Sequence, residues 1–114
     1  MTATLTHPIN SVNNSLEIIK ALANDVRFEI ISILAQRECC VCDLEIMLSM
    51  NQSKVSYHLA ALREVGLITH EQRGKNSYYH LERQTLYLLG GQLLETLLRS
   101  RPDLGLTHQS KSIC

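Results

Sequence analysis

The sequence predicts a mainly α fold with one small β-hairpin. Four separable segments of helical periodicity come first, a pair of β-prone runs around a polar tip follows, and a fifth helical segment comes after them. The third and fourth helices meet at a tight turn, and the hairpin directly after them has a basic tip, Arg73-Gly74-Lys75-Asn76. A helix-turn-helix followed by such a hairpin makes a winged helix-turn-helix, here of five helices plus the wing. At 114 residues the chain is one domain's worth, marginal in stability alone, so a partner subunit is expected. Aromatics are only 4% of the residues, and the core must therefore be aliphatic.

Each element has a local reason. Asn14 with Glu17 resembles a capping box, after which Leu16, Ile19, Leu22 and Ala23 recur at helical spacing. Asn24 or Asp25 caps a second helix that ends near Arg37, with Val26, Ile30, Ile33 and Leu34 on one face and Arg27 and Glu29 turned away. A third, short helix runs from about Val41 to Leu48 or Met50. Asn51 breaks it and caps the fourth, "QSKVSYHLAALREV", which Gly66 closes in the left-handed region. In "GLITHEQRGKNSYYHL" the hairpin places Tyr78 and Tyr79 on opposite faces. The last helix, from about Arg83 to Arg99, carries Leu86, Leu88, Leu89, Leu93, Leu94, Leu97 and Leu98, an apolar surface too wide for one packing face. It is expected to serve a second chain, with Gly90 and Gly91 admitting close approach by another backbone. Residues 1–13 and 101–114 are expected to be tails, and 14–100 the domain.

The net charge is zero, but it is unevenly spread. Met1 to Met50 holds three Lys/Arg against six Asp/Glu, whereas Asn51 to Arg83 holds five against three, with three of the five histidines. The middle third is the basic part, and nucleic-acid affinity needs a local positive face more than a basic whole. With Val55 at the centre of the fourth helix's buried face, steps of 100° place Leu59 and Leu62 within about 40° of it. Ser53, Tyr57, Ala60 and Glu64 fall opposite, Lys54 and Ser56 flank that outer face, and Gln52 lies in the first turn. Small and hydrogen-bonding side chains in the first turns suit a helix that enters the major groove, while Lys54, Arg63, Arg73 and Lys75 would serve phosphates. His58 projects about 60° from the buried centre and is expected to be a packed, satisfied histidine.

No segment reaches the roughly 18 apolar residues of a membrane span, and "MTATLTHPINSVNN" lacks the order of a signal peptide, so a cytoplasmic protein is expected. There, clustered cysteines point to metal binding or redox sensing before structural disulfides. No phosphate loop, nucleophile elbow or metal-hydrolase motif supports an enzyme. A winged-helix module that binds only protein is the remaining class, separable by the salt dependence of DNA binding.

In this order, "KALANDVRFEIISIL", "ECCVCDL", "NQSKVSYHLAALREVGLI" and "RGKNSYYHL" resemble the ArsR/SmtB family of bacterial metal-responsive repressors, over roughly Leu16 to Leu98. The resemblance implies a homodimer joined through the first and last helices, bound to an inverted repeat of operator DNA until a metal or other inducer arrives. In the family's capping pattern, Cys40 stands where Ser or Thr often caps the third helix, with Asp43 three positions on. Cysteine is a poor acceptor, and a broken local rule marks a place to seek function. The dipole of that helix is expected to lower the pKa of Cys39, Cys40 and Cys42.

"E-C-x-C-D-L" is similar to the trivalent arsenic and antimony site of the arsenical repressors, which implies Cys40 and Cys42 as ligands. The third cysteine common in that type is replaced by Glu45, leaving Cys39 as the nearest substitute and Cys114 as another candidate. A cadmium/lead sensor shares the pair but adds N-terminal cysteines absent here, and a thiol redox or persulfide sensor of the same fold is the further alternative. The family's zinc site on the last helix needs Asp/His ligands that "LERQTLYLLGGQLLETLLRS" lacks. Two positions along a regular helix differ by about 200°, so Cys40 and Cys42 are expected to point apart unless the first turn unwinds. Ligand binding and an intact third helix would then exclude each other.

Overall fold

The computed structural model describes residues 7–99. In chain order these form α1 (His7–Leu22), α2 (Asp25–Leu34), β1 (Cys39–Cys40), α3 (Val41–Leu48), α4 (Gln52–Glu64), β2 (Ile68–Arg73), β3 (Asn76–Leu81) and α5 (Arg83–Leu98). The five helices and the wing are as expected, while β1 is an addition. Its two residues pair antiparallel with β3, Cys39 with Tyr79 and Cys40 with Tyr78, giving a sheet of order β1-β3-β2.

α1 differs most from its expected form. It reaches back to His7, so Asn14 lies inside the helix and cannot cap it with Glu17. Pro8 falls in the first turn, where a missing backbone N–H breaks no helical bond. The inward face is also one residue out of step with the expected one: Ser15, Ile18 and Ala21 are buried, whereas Leu16 is 54% exposed. Apart from Ser15 both stripes are apolar, and the packing against neighbouring helices selects between them.

α2 starts at Asn24, whose Oδ1 accepts the Arg27 backbone N–H at 3.0 Å. It ends at Leu34, short of Arg37, and buries Ile30, Ile31 and Leu34. Val26 and Ile33 are only partly covered. α3 closes on Ser49, which takes the left-handed conformation with φ 54°, the one described non-glycine residue at positive φ. This residue makes the tight turn of the helix-turn-helix. Asn51 then caps α4, its Oδ1 accepting the Lys54 N–H at 2.9 Å. At the far end Gly66, φ 80°, completes a Schellman motif: its N–H donates to the Arg63 carbonyl, and the Leu67 N–H to that of Leu62.

The hairpin register runs from Ile68 opposite Leu81 to Arg73 opposite Asn76. Gly74 alone of the two loop residues has positive φ, the pattern of a type II′ turn. Tyr79 packs on the core and Tyr78 lies beneath the Arg73 guanidinium, on opposite faces as expected. The core gathers Ile18, Ile30, Leu44, Val55, Leu59, Leu62, Leu67 and Ile68, so α3 and α4 are fixed to one body. α5 buries none of its residues fully. Leu86 and Leu89 lean on the core, while Leu94, Leu97 and Leu98 are 57%, 69% and 75% exposed. A Cβ at Gly90 or Gly91 would meet nothing within 4 Å among the described residues. No helix among the described residues is long and apolar enough to cross a membrane.

Candidate functional site

Two candidate sites lie on the same body. The first is the thiol cluster at the start of α3. Cys40 occupies the N-cap with extended backbone, φ −91° and ψ 172°. Its sulfur accepts the Asp43 N–H at 3.4 Å, and Asp43 Oδ2 accepts the Cys40 N–H at 3.2 Å, so the capping box is complete with sulfur in the hydroxyl's place. Arg37 Nη2 donates to the same carboxylate oxygen at 3.3 Å.

Because Cys40 is extended rather than helical, the expected opposition of Cys40 and Cys42 does not hold. Their sulfurs lie 2.6 Å apart while α3 keeps its first turn. Thiolates bound to one soft centre through bonds of about 2.3 Å sit within roughly 4 Å of each other, so the pair needs no unwinding to meet around a ligand. The geometric premise for an exclusion between an intact helix and two-thiol binding therefore does not hold.

The cluster brings together Cys40, Cys42 and Asp43, with one ligand atom from each all within 4.8 Å of one another. Cys39 is not among them. Successive strand residues point to opposite faces, and Cys39 faces the core, fully buried, its thiol 3.9 Å from the Arg37 carbonyl. Cys114 lies outside the described residues. Cys42 is exposed, so the cluster is open to solvent on one side. Two sulfurs beside one carboxylate are a donor set for a soft, thiophilic centre rather than for calcium or magnesium.

The expected lowering of the thiol pKa is corrected at Cys39 and Cys40. Burial pushes the Cys39 thiol up, against the pull of Arg37. Burial likewise raises Cys40, reinforced by the hydrogen bond with Cys42 and only partly opposed by the Asp43 N–H. Desolvation outweighs the end of a short helix at both positions.

The second site is the outer face of α4 and the wing. Val55, Leu59 and Leu62 are buried, while Gln52, Ser53, Lys54, Ser56, Tyr57 and Arg63 are exposed, as the helical spacing expects. Lys75 is exposed at the turn. His58 is buried as expected, its ring edge-on to Tyr57 at 5.2 Å, and its Nδ1 meets no hydrogen-bond partner among the described residues. Burial, then Arg27 and Lys54, lowers its pKa.

Arg73 is held differently from a free phosphate contact. Its guanidinium donates to both Glu38 oxygens, at 2.6 and 2.9 Å, and to Glu71 at 3.1 Å. It also lies 4.7 Å above the Tyr78 ring centroid. Arg73 in turn lowers the pKa of Glu38. Neither Glu38 nor Asp43 was singled out from the sequence as a site residue, although both stand within the quoted "ECCVCDL".

The arsR family of bacterial regulatory proteins matches residues 24–70, from the cap of α2 into β2. The arsenical resistance operon repressor of Bacillus subtilis (strain 168) is 42% identical over 85 residues, covering 74% of this chain and 81% of that protein. This chain belongs to the arsR family. Among solved structures, HlyU from Vibrio cholerae N16961 is similar at TM-score 0.61 and 30% identity, covering 75% of this chain and 91% of that one. The homodimeric winged helix-turn-helix DNA-binding domain from Mycobacterium bovis is similar at TM-score 0.60 and 25% identity, covering 89% of this chain and 97% of that one. As an arsR-family member the chain is a DNA-binding transcriptional repressor and not an enzyme.

Proposed function

We propose that this repressor releases its operator when trivalent arsenic or antimony is captured by Cys40 and Cys42. The observation that carries this reading is the meeting of the two sulfurs at the solvent-open start of α3, a helix packed directly on α4. Relatives named arsenical resistance operon repressors, from Bacillus subtilis and Escherichia coli, support the choice of ligand. Two copies, joined through α1 and the exposed leucines of α5, place two α4 helices in successive major grooves about 34 Å apart on an inverted repeat. Gln52, Ser53, Ser56 and Tyr57 face the bases, and Lys54, Arg63, Arg73 and Lys75 the phosphates.

The switch then rests on the third ligand. Cys40 and Cys42 bind without moving α3, but Cys39 can join them only by leaving the core and breaking its register with Tyr79. A ligand that draws three sulfurs together thus favours a state in which β1 has parted from β3 and the start of α3 is displaced. That differential affinity is what a two-state switch requires.

The test is a release titration on a labelled duplex selected from random sequence by the wild-type chain. Arsenite, antimonite, cadmium, zinc and peroxide are compared side by side. Release by arsenite and antimonite at the lowest concentrations is expected. The same two sulfurs could be joined by an oxidant, so release by peroxide and not by arsenite would instead establish a redox sensor. Release by cadmium alone would establish a cadmium/lead sensor.

A further inference from the structure

Arg73 ends β2 beside the wing's turn, 35 residues from Glu38, which immediately precedes β1. The pair is bidentate: Nη1 to Oε2 at 2.6 Å and Nη2 to Oε1 at 2.9 Å. Two carboxylate oxygens fill the guanidinium fork in the way two phosphate oxygens would. Glu71 takes a further N–H of Nη2 at 3.1 Å. His80 stands between the carboxylates, 3.5 Å from Glu38 and 3.6 Å from Glu71. Two carboxylates thus face the one guanidinium, with Arg37, whose Nε donates to the Glu38 carbonyl at 3.3 Å, as the other cation beside Glu38. Lys75, two residues after Arg73, makes no ion pair among the described residues.

We propose that Glu38 is a built-in competitor for the DNA backbone, occupying the fork of Arg73 and thereby limiting the affinity of the wing for phosphate. This deepens the DNA-binding reading and rests on it. Glu38 is a positioning residue here, acting through Arg73 without touching DNA itself. Its place is tied to the sheet as well as to the wing. The Tyr78 ring under the guanidinium belongs to the strand that pairs with Cys40, so the carboxylate, the arginine and the thiol strand share one support. A carboxylate in this position holds the guanidinium over the Tyr78 ring and satisfies it in the absence of DNA.

The experiment measures affinity against salt for the selected duplex with wild type, Glu38→Gln, Arg73→Gln and the double variant, each checked for an unchanged thermal transition. One freed phosphate contact in each of the two wings should steepen the slope of log K against log salt by about 1.8 and raise the affinity of the dimer roughly ten- to a hundredfold near 0.1 M salt in Glu38→Gln. Arg73→Gln should cost more affinity in the Glu38→Gln background than in wild type, the coupling that a double-mutant cycle isolates. Glu38→Ala, which removes the acceptor by another route, must reproduce the gain. An equal gain from Glu38→Gln with and without Arg73 would show mere loss of a negative charge and overturn the proposal, as would no gain at all. A wild-type chain with no salt-dependent binding to any duplex would fail the DNA-binding reading itself, a result separate from either of these.

Discussion

Replacing Cys40 by serine separates its structural part from its chemical one. Cys40 is 5% exposed, and its sulfur accepts the Asp43 N–H at 3.4 Å, a long bond to a weak acceptor. A serine oxygen caps better, and a good cap contributes about 0.5–2 kcal/mol over none, part of which the sulfur already supplies. Against this, a hydroxyl replaces an apolar group in a site covered from solvent, and polar burial with partial compensation costs about 1–3 kcal/mol. The two terms oppose and are of similar size, so Cys40→Ser should stay within about 1 kcal/mol of wild type, or about 4–8 °C in melting temperature. Melting at fixed protein concentration and fluorescence anisotropy of the labelled duplex measure the two parts. The expected result is near-native melting, native DNA affinity and no release by arsenite. Release at wild-type arsenite concentrations would refute the ligand assignment. A fall of well over about 10 °C would refute the reading of Cys40 as a replaceable cap.

Other perturbations have equally definite outcomes. Ser49→Gly should add about 1 kcal/mol of stability, read as a higher urea midpoint at unchanged slope, because φ 54° suits glycine and the serine is exposed. His58 has a folded-state pKa below its ordinary value of 6.5, so the unfolded chain binds more protons in the interval between them. Stability should therefore fall as pH drops through 6.5 toward the depressed value, and urea midpoints across that range should show a shallower slope in His58→Gln. Leu97→Glu places a charge on a side chain 69% exposed in this chain, on the face proposed to meet a second copy. Sedimentation should show monomers, and DNA affinity should drop on the order of a hundredfold as the two half-sites lose their linkage.

The legible parts of this fold are those with local causes. Asn24, Asn51 and Gly66 each announce a helix boundary through the hydrogen bonds or backbone freedom they supply, and the structure uses all three. The two faces of α4 were readable because Val55, Leu59 and Leu62 recur at one spacing. What escaped depends on contacts distant in sequence. β1 is two residues long and exists only through its pairing with β3, so no periodicity could reveal it. The Arg73 pair joins residues 35 apart, and the choice of inward stripe on α1 belongs to the packing. The thiol geometry failed for a more instructive reason. Cys40 was placed correctly at the cap but assigned a helical direction, whereas a cap residue is extended and its side chain turns back over the first turn. The shifts of Cys39 and Cys40 followed burial, which the local sequence does not report.

Arsenic-edge X-ray absorption on the arsenite-loaded protein, counting sulfur neighbours in wild type and in Cys39→Ser, bears most directly on how capture at α3 becomes release of DNA. Three sulfurs in wild type and two in the variant are expected, with the variant still binding arsenite but keeping its operator. Two sulfurs in wild type, or three in the variant, would contradict the role given to Cys39.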